Sequence, residues 1–111
     1  MTNVAIIDTL RSLNFSGISG TYAQVGTPLT HITRIICLTN NTNGDLFVSN
    51  DGVTDNLFMP ANSFKLFDLA TNRSDYNSTW SFSDGMPFFV KQSTAPTSGD
   101  FYIECVYASG E

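Results

Sequence analysis

The sequence predicts an all-β, single-domain antiparallel β-sandwich of seven to eight short strands, jelly-roll or Ig-like, with an N-terminal arm. Three observations carry this. Apolar residues alternate with period two in several short stretches. Gly, Pro, Asn and Asp clusters punctuate the chain between them. Only 14% of the 111 residues are charged, while Ser, Thr and Asn supply most of the polarity. Those residue types favour turns and sheet surfaces over helix interiors.

Residues 1–14 read as an N-terminal arm, a first strand or a short helix, and residues 15–111 as the sandwich domain. Ile6, Ile7, Leu10 and Leu13 fit either a loose helical spacing or an extended arm. FSGISGTY then supplies a flexible turn through Gly17 and Gly20. THITRIICLT alternates, with Ile32, Arg34, Ile36 and Leu38 on one face and Thr33, Ile35 and Cys37 on the other. Apolar groups on both faces mark a central strand. Asn43-Gly44 is a hairpin signal, with Leu46-Phe47-Val48 as the return strand.

Asn50-Asp51-Gly52 makes the next turn, with Gly52 supplying positive φ. Pro60 stops a short strand over residues 56–59, and residues 64–69 are expected to return into the core. Asp68 and Asn72 are expected to fasten the following corner. Trp80 and Phe82 point inward, and Asp84-Gly85 is a second hairpin signal. In the last strand Phe101, Ile103, Cys105 and Tyr107 share one face, and Tyr102, Glu104 and Val106 the other. Gly44, Gly52, Pro60, Asp68, Asn72 and Gly85 are thus the expected turn and cap residues.

Chemistry is harder to find. His31 is the only histidine, and no Gly-x-Ser-x-Gly elbow accompanies it. Eight of the ten acids are Asp, most of them in turn sequences, which leaves no carboxylate pair flanking a cleft. Asn41, Asn43 and Asp45 stand at alternate positions, but the EF-hand spacing is absent. No catalytic residue, metal site or cofactor is expected. The five bases are scattered and the net charge is −5, which disfavours nucleic acid and anionic membranes as partners. Cys37 and Cys105 could pair only if their strands lie on facing sheets; otherwise both are free thiols. The N-terminus lacks a basic region and a long apolar stretch, so synthesis in a cytosol is expected. The four Asn-x-Ser/Thr triplets, at Asn14, Asn40, Asn72 and Asn77, match what so Asn- and Thr-rich a chain contains by chance.

Phe58, Phe89 and Tyr102 fall on the phase opposite the core. They lie either under a second layer or at a contact with a partner. The loop carrying Asp51 and Asp55 is expected to be free of core duties. These five residues are the interface candidates.

Four stretches, LNFSGISGTYAQVGTPLTH, RIICLTNNTNGDLFVSNDGVTDN, MPANSFKLFDLATN and FFVKQSTAPTSGDFYIECVYASGE, together cover most of residues 13–111. In these stretches the chain resembles a family of small virion-associated proteins of tailed bacteriophages. The resemblance implies a non-enzymatic β-sandwich component of the particle. Its implied partners are other virion proteins (major capsid, portal or neck, and tail proteins) and further copies of itself. The implied location is the virion, at the head, the neck or collar, or the tail, after synthesis in the bacterial cytoplasm. A carbohydrate-binding module for host attachment is the alternative.

Overall fold

The computed structural model describes residues 4–69 and 81–109. Among them nine strands form: β1 (Ala5–Ile7), β2 (Arg11–Asn14), β3 (Ala23–Gln24), β4 (Thr33–Thr42), β5 (Leu46–Ser49), β6 (Leu57–Met59), β7 (Ser63–Asp68), β8 (Phe89–Gln92) and β9 (Gly99–Ala108). A 3-10 turn over Phe15–Gly17 follows β2, capped by the Asn14 side chain, which accepts from Ser16 N at 3.1 Å. Every pairing between the strands is antiparallel.

The chain path is set by nested pairs. β2 pairs with β9, β3 with β8, β4 with β7, and β5 with β6. This long nested hairpin rolls up, and β4 then pairs with β9, and β5 with β8. Two sheets result. The front sheet has the order β1-β9-β4-β7, with β2 continuing the β1 edge along β9; the back sheet has the order β3-β8-β5-β6. This is the connectivity of a jelly roll, so of the two sandwich types expected the chain adopts that one.

The core lies between the sheets. Phe101, Ile103 and Cys105 of β9 and Ile36 and Leu38 of β4 are fully buried from the front; Leu46, Val48 and Val90 meet them from the back. Each such aliphatic side chain contributes about 1.5–3 kcal/mol when withdrawn from water. The period-two reading of β9 holds throughout: Glu104 is exposed and Tyr102 and Val106 are half-buried on the outer side. β4 is central, between β9 and β7. Its pairing with β9 slips between Thr33 and Ile35. The slip turns Thr33 inward to full burial and leaves Ile32 exposed, where unbroken alternation had put Ile32 with Ile36.

Two hairpin expectations fail. β4 and β5 lie in different sheets, so Asn43-Gly44 turns a corner between layers. Asp84-Gly85 does likewise: Phe82 bridges to Thr33 of the front sheet, whereas β8 belongs to the back sheet. Met86 N bonds Ser83 O at 3.2 Å across this turn, and Gly85 takes φ 90°. A local turn signal says that the chain reverses. It does not say which sheet receives the next strand.

The loops β4–β5, β6–β7 and β8–β9 meet at one end of the sandwich and are laced together by polar side chains. Asn40, with no exposed surface, is the centre. Its amide nitrogen lies 3.0 Å from Gly44 O, 3.0 Å from Met59 O and 3.1 Å from Pro60 O. Its oxygen accepts from Thr42 N at 3.1 Å and Thr42 Oγ1 at 2.6 Å. Asn43 accepts from Thr97 N, and Asp45 accepts from Ala61 N. Gly44 is held so close to Thr94 O and Pro96 that a Cβ there would clash with backbone.

Near the other end, Arg11 is buried against the core edge. Its guanidinium donates to Thr27 O at 2.7 Å and Pro28 O at 3.1 Å, and pairs with Asp8 at 3.1 Å. These bonds fasten the N-terminal segment to the β3–β4 loop. Gly26, at φ 64°, packs against the Arg11 stem.

Cys37 and Cys105 lie on neighbouring strands of one sheet, where Ile36 faces Cys105 and Cys37 faces Glu104. Their side chains therefore leave opposite faces, and both are free thiols.

Candidate interaction faces

Four of the five interface candidates converge on the outward face of the back sheet. β5, β6 and β8 place Phe47 opposite Lys91 on one side and opposite Phe58 on the other. The Phe47 and Phe58 rings are tilted, with centroids 5.5 Å apart, and Phe58 is 46% exposed. Lys91 Nζ lies 4.9 Å from the Tyr22 ring centroid and 5.6 Å from that of Phe47. Tyr22 was not foreseen here; two residues of β3, too short to show alternation, bring it in.

The loop of residues 50–56 folds back over this face. Asp51 Oδ1 accepts from Val53 N at 2.8 Å and Thr54 N at 2.7 Å, and its carboxylate also takes the Ser49 and Thr54 hydroxyls. The Thr54 and Val53 backbone bonds hold the Asp51 carboxyl well below the usual carboxylate range. Gly52, at φ 76°, lies over the Phe89 ring. Asp55 accepts a hydrogen bond from the Tyr22 hydroxyl and pairs with Lys91 at 3.1 Å. The Tyr22 bond is the main reason its carboxyl is also depressed. Burial, then Asp55, push the Tyr22 hydroxyl up. The loop is thus a strap across the sheet: Phe89 is roofed by it, while Phe58 and the Val53 tip stay exposed.

Tyr102 lies elsewhere, on the outward face of the front sheet, where its hydroxyl donates to Asp100 at 3.2 Å. The Asp100 charge raises the Tyr102 hydroxyl. Across this face runs the row Leu66–Cys37–Glu104, and beside it Phe64–Thr39–Tyr102. Phe64 is 68% exposed and Leu66 58%. β7 therefore does not return these two residues into the core; it is the edge strand, and its inward aromatic is Phe67, which packs on Phe82. Ile7, 82% exposed, and Val106 continue the outward face at its far end.

Among the turn residues, Pro60 O accepts from Asn40 and Ser63. Asp68 ends β7 opposite Ile35. Asn72 and Trp80, and the loop that Asp68 was expected to cap, lie outside the described residues. No group of three or more His, Cys, Asp or Glu able to hold a metal occurs among the described residues. None of their helices is long and apolar enough to cross a membrane.

No family model and no curated protein matches the chain. A chain of a solved structure titled "Cyanophage Pam1 capsid asymmetric unit" superposes with a TM-score of 0.48 at 12% identity, over 96% of this chain and 84% of that one. At that level the likeness fixes neither the fold nor a function for this chain.

Proposed function

We propose that the chain is a non-enzymatic structural component of a tailed-phage virion, binding the capsid or the neck and connector through protein–protein contacts in multiple copies. The observation that carries this is the exposure of large apolar side chains on both outward faces: Phe64, Leu66 and Ile7 in front, Phe58 and Val53 behind. Apolar patches of this kind mark contact surfaces. The sequence resemblance to small virion-associated proteins supports it. The jelly roll is compatible, being used in capsid domains, though a fold alone assigns no function. In this reading the chain is made in the bacterial cytoplasm, joins the particle, and associates with its own copies.

Mass spectrometry of gradient-purified particles tests the reading. Peptides of this chain should co-sediment with the major capsid protein at a fixed ratio. Their absence from purified particles would overturn it.

The ring row of Tyr22, Phe47 and Phe58 beside Lys91 and Asp55 favours one alternative, a carbohydrate-binding module for host attachment. A specific hit on a glycan array that disappears on Phe58→Ala would favour it.

A further inference from the structure

We propose that the outward face of the front sheet docks a different protein, through an apolar surface carrying a Lys or Arg that meets Glu104. This deepens the virion reading above and rests on it.

Size comes first. The face is four strands wide and β4 and β9 are each ten residues long. β7 adds six residues, β1 three and β2 four, so with strands ~4.8 Å apart and ~3.3 Å per residue the flat footprint is about 500 Å². Side-chain relief raises the accessible area above that, toward the about 800 Å² per partner that stable interfaces bury. The content is apolar: Phe64, Leu66 and Ile7 protrude, with Ile35, Cys37 and Val106 half-buried between them.

Charge then selects the occupant. Glu104 is exposed near the middle of β9 and forms no ion pair among the described residues. Asp100, on the same face, is already bonded to Asn14 and Tyr102. No lysine answers Glu104 from this side. Lys65 pairs opposite Leu38 on the inward phase of β7, and Lys91 belongs to the back sheet. Arg11 is buried on the inward side of β2, opposite Ile103.

A second copy does not answer Glu104 either: face-to-face packing about either sheet axis brings no base to it, and the lysine of the back face, Lys91, is already paired with Asp55. A two-fold axis along the strands preserves the Leu66–Cys37–Glu104 row. It sets Glu104 against Leu66, Cys37 or Glu104 of the other copy. An axis across the strands sets it against Tyr102, Val106 or Glu104. None of these is basic, and a carboxylate buried without a partner is strongly unfavourable. A basic group on a different protein turns this cost into a charge-assisted bond.

Cys37 lies in the centre of the face and reports on its cover. The experiment compares N-ethylmaleimide labelling of Cys37 in intact particles and in the purified chain. It also measures incorporation of Glu104→Lys, with Ser83→Ala in an exposed turn as control. A thermal melt of each purified variant confirms that it folds. Docking predicts that Cys37 labels at least about tenfold more slowly in particles. It predicts that Glu104→Lys incorporates at least about tenfold less, with Ser83→Ala unchanged. Carbodiimide should join Glu104 to a lysine of another virion protein wherever the basic group is a lysine. Particles that contain the chain but label Cys37 at the free rate, or accept Glu104→Lys like the parent, overturn the docking face and leave the virion reading standing. A Glu104 cross-link to a second copy overturns the choice of partner. Absence of the chain from particles removes both.

Discussion

Asn40→Ala should be the most damaging conservative change at the laced end of the sandwich. The wild-type amide serves five partners from a position with no exposed surface. Two hydrogens shared among three carbonyls make at most two full bonds. After truncation, Gly44 O keeps Thr42 Oγ1, and Pro60 O keeps Ser63. Thr42 N–H and Met59 O lose the bond that Asn40 supplied. Each buried polar group left unpaired costs about 1–3 kcal/mol, so the loss should be about 3 kcal/mol. For a domain of this size that lowers Tm by about 12 °C, at about 4 °C per kcal/mol. Urea and thermal melts followed by circular dichroism measure it. Asn41→Ala is the control: the neighbouring residue is exposed on the other face and should stay within about 0.5 kcal/mol of wild type. If both variants melt together, the bracket does not hold the corner and the reasoning is wrong.

Three further outcomes are expected. Gly44→Ala puts a Cβ 2.8 Å from Pro96 N and 3.0 Å from Pro96 Cα, whereas a Cβ on Gly20 meets nothing within 4 Å. The first should lose about 3 kcal/mol or fail to fold and the second stay within about 0.5 kcal/mol, as read by urea midpoints. Acid should loosen the strap. Asp51 and Asp55 are depressed in the folded state, so their contribution is fully present above the unfolded value of ~3.9 and fades as pH falls through the folded values. Asp51→Asn should therefore flatten the fall in urea midpoint below about pH 4; an unchanged slope would contradict the assignment. Burial pushes the Cys105 thiol up to about 11. Maleimide should then modify Cys37 alone in the folded chain and both cysteines in denaturant, with equal native rates counting against the opposite-face arrangement.

The last strand was legible because ten residues alternate without interruption and every inward residue is apolar. β4 was legible as central for a related reason, apolar groups on both phases. Its first turn was not, because the slip after Thr33 depends on the pairing with β9 and leaves no mark on the local text. Residues 64–69 were expected to return into the core. The register with β4, which sets Phe64 beside Thr39 and Leu66 beside Cys37 on the outward phase, turned Phe64 and Leu66 outward, and the local text does not carry that register. The Asn-rich stretch of residues 40–45 carried the Asn43-Gly44 hairpin signal. Composition cannot distinguish an exposed Asn from a buried one whose bonds go to Met59 and Pro60 on a distant loop. Asp51 and Asp55 were marked as a loop tip worth watching, and the geometry binds both into the strap. The strap's grip on Phe89 could be read only with β5 and β8 side by side.

β9 is the strand on which β1, β2 and β4 all depend, and it is the farthest along the chain of the nine. While a ribosome is still adding residues 99–108, the front sheet consists of β4 and β7 alone, and β1 and β2 have nothing to pair with. Ile36, Leu38 and the whole N-terminal segment then wait in water for β9. Such long-range closure makes folding slow, on the millisecond-to-second scale of β-rich domains, and keeps sticky surface open meanwhile. Nascent chains stalled before residue 99 should therefore engage chaperones and be cut readily by protease. Chains released past residue 108 should gain resistance in a single step.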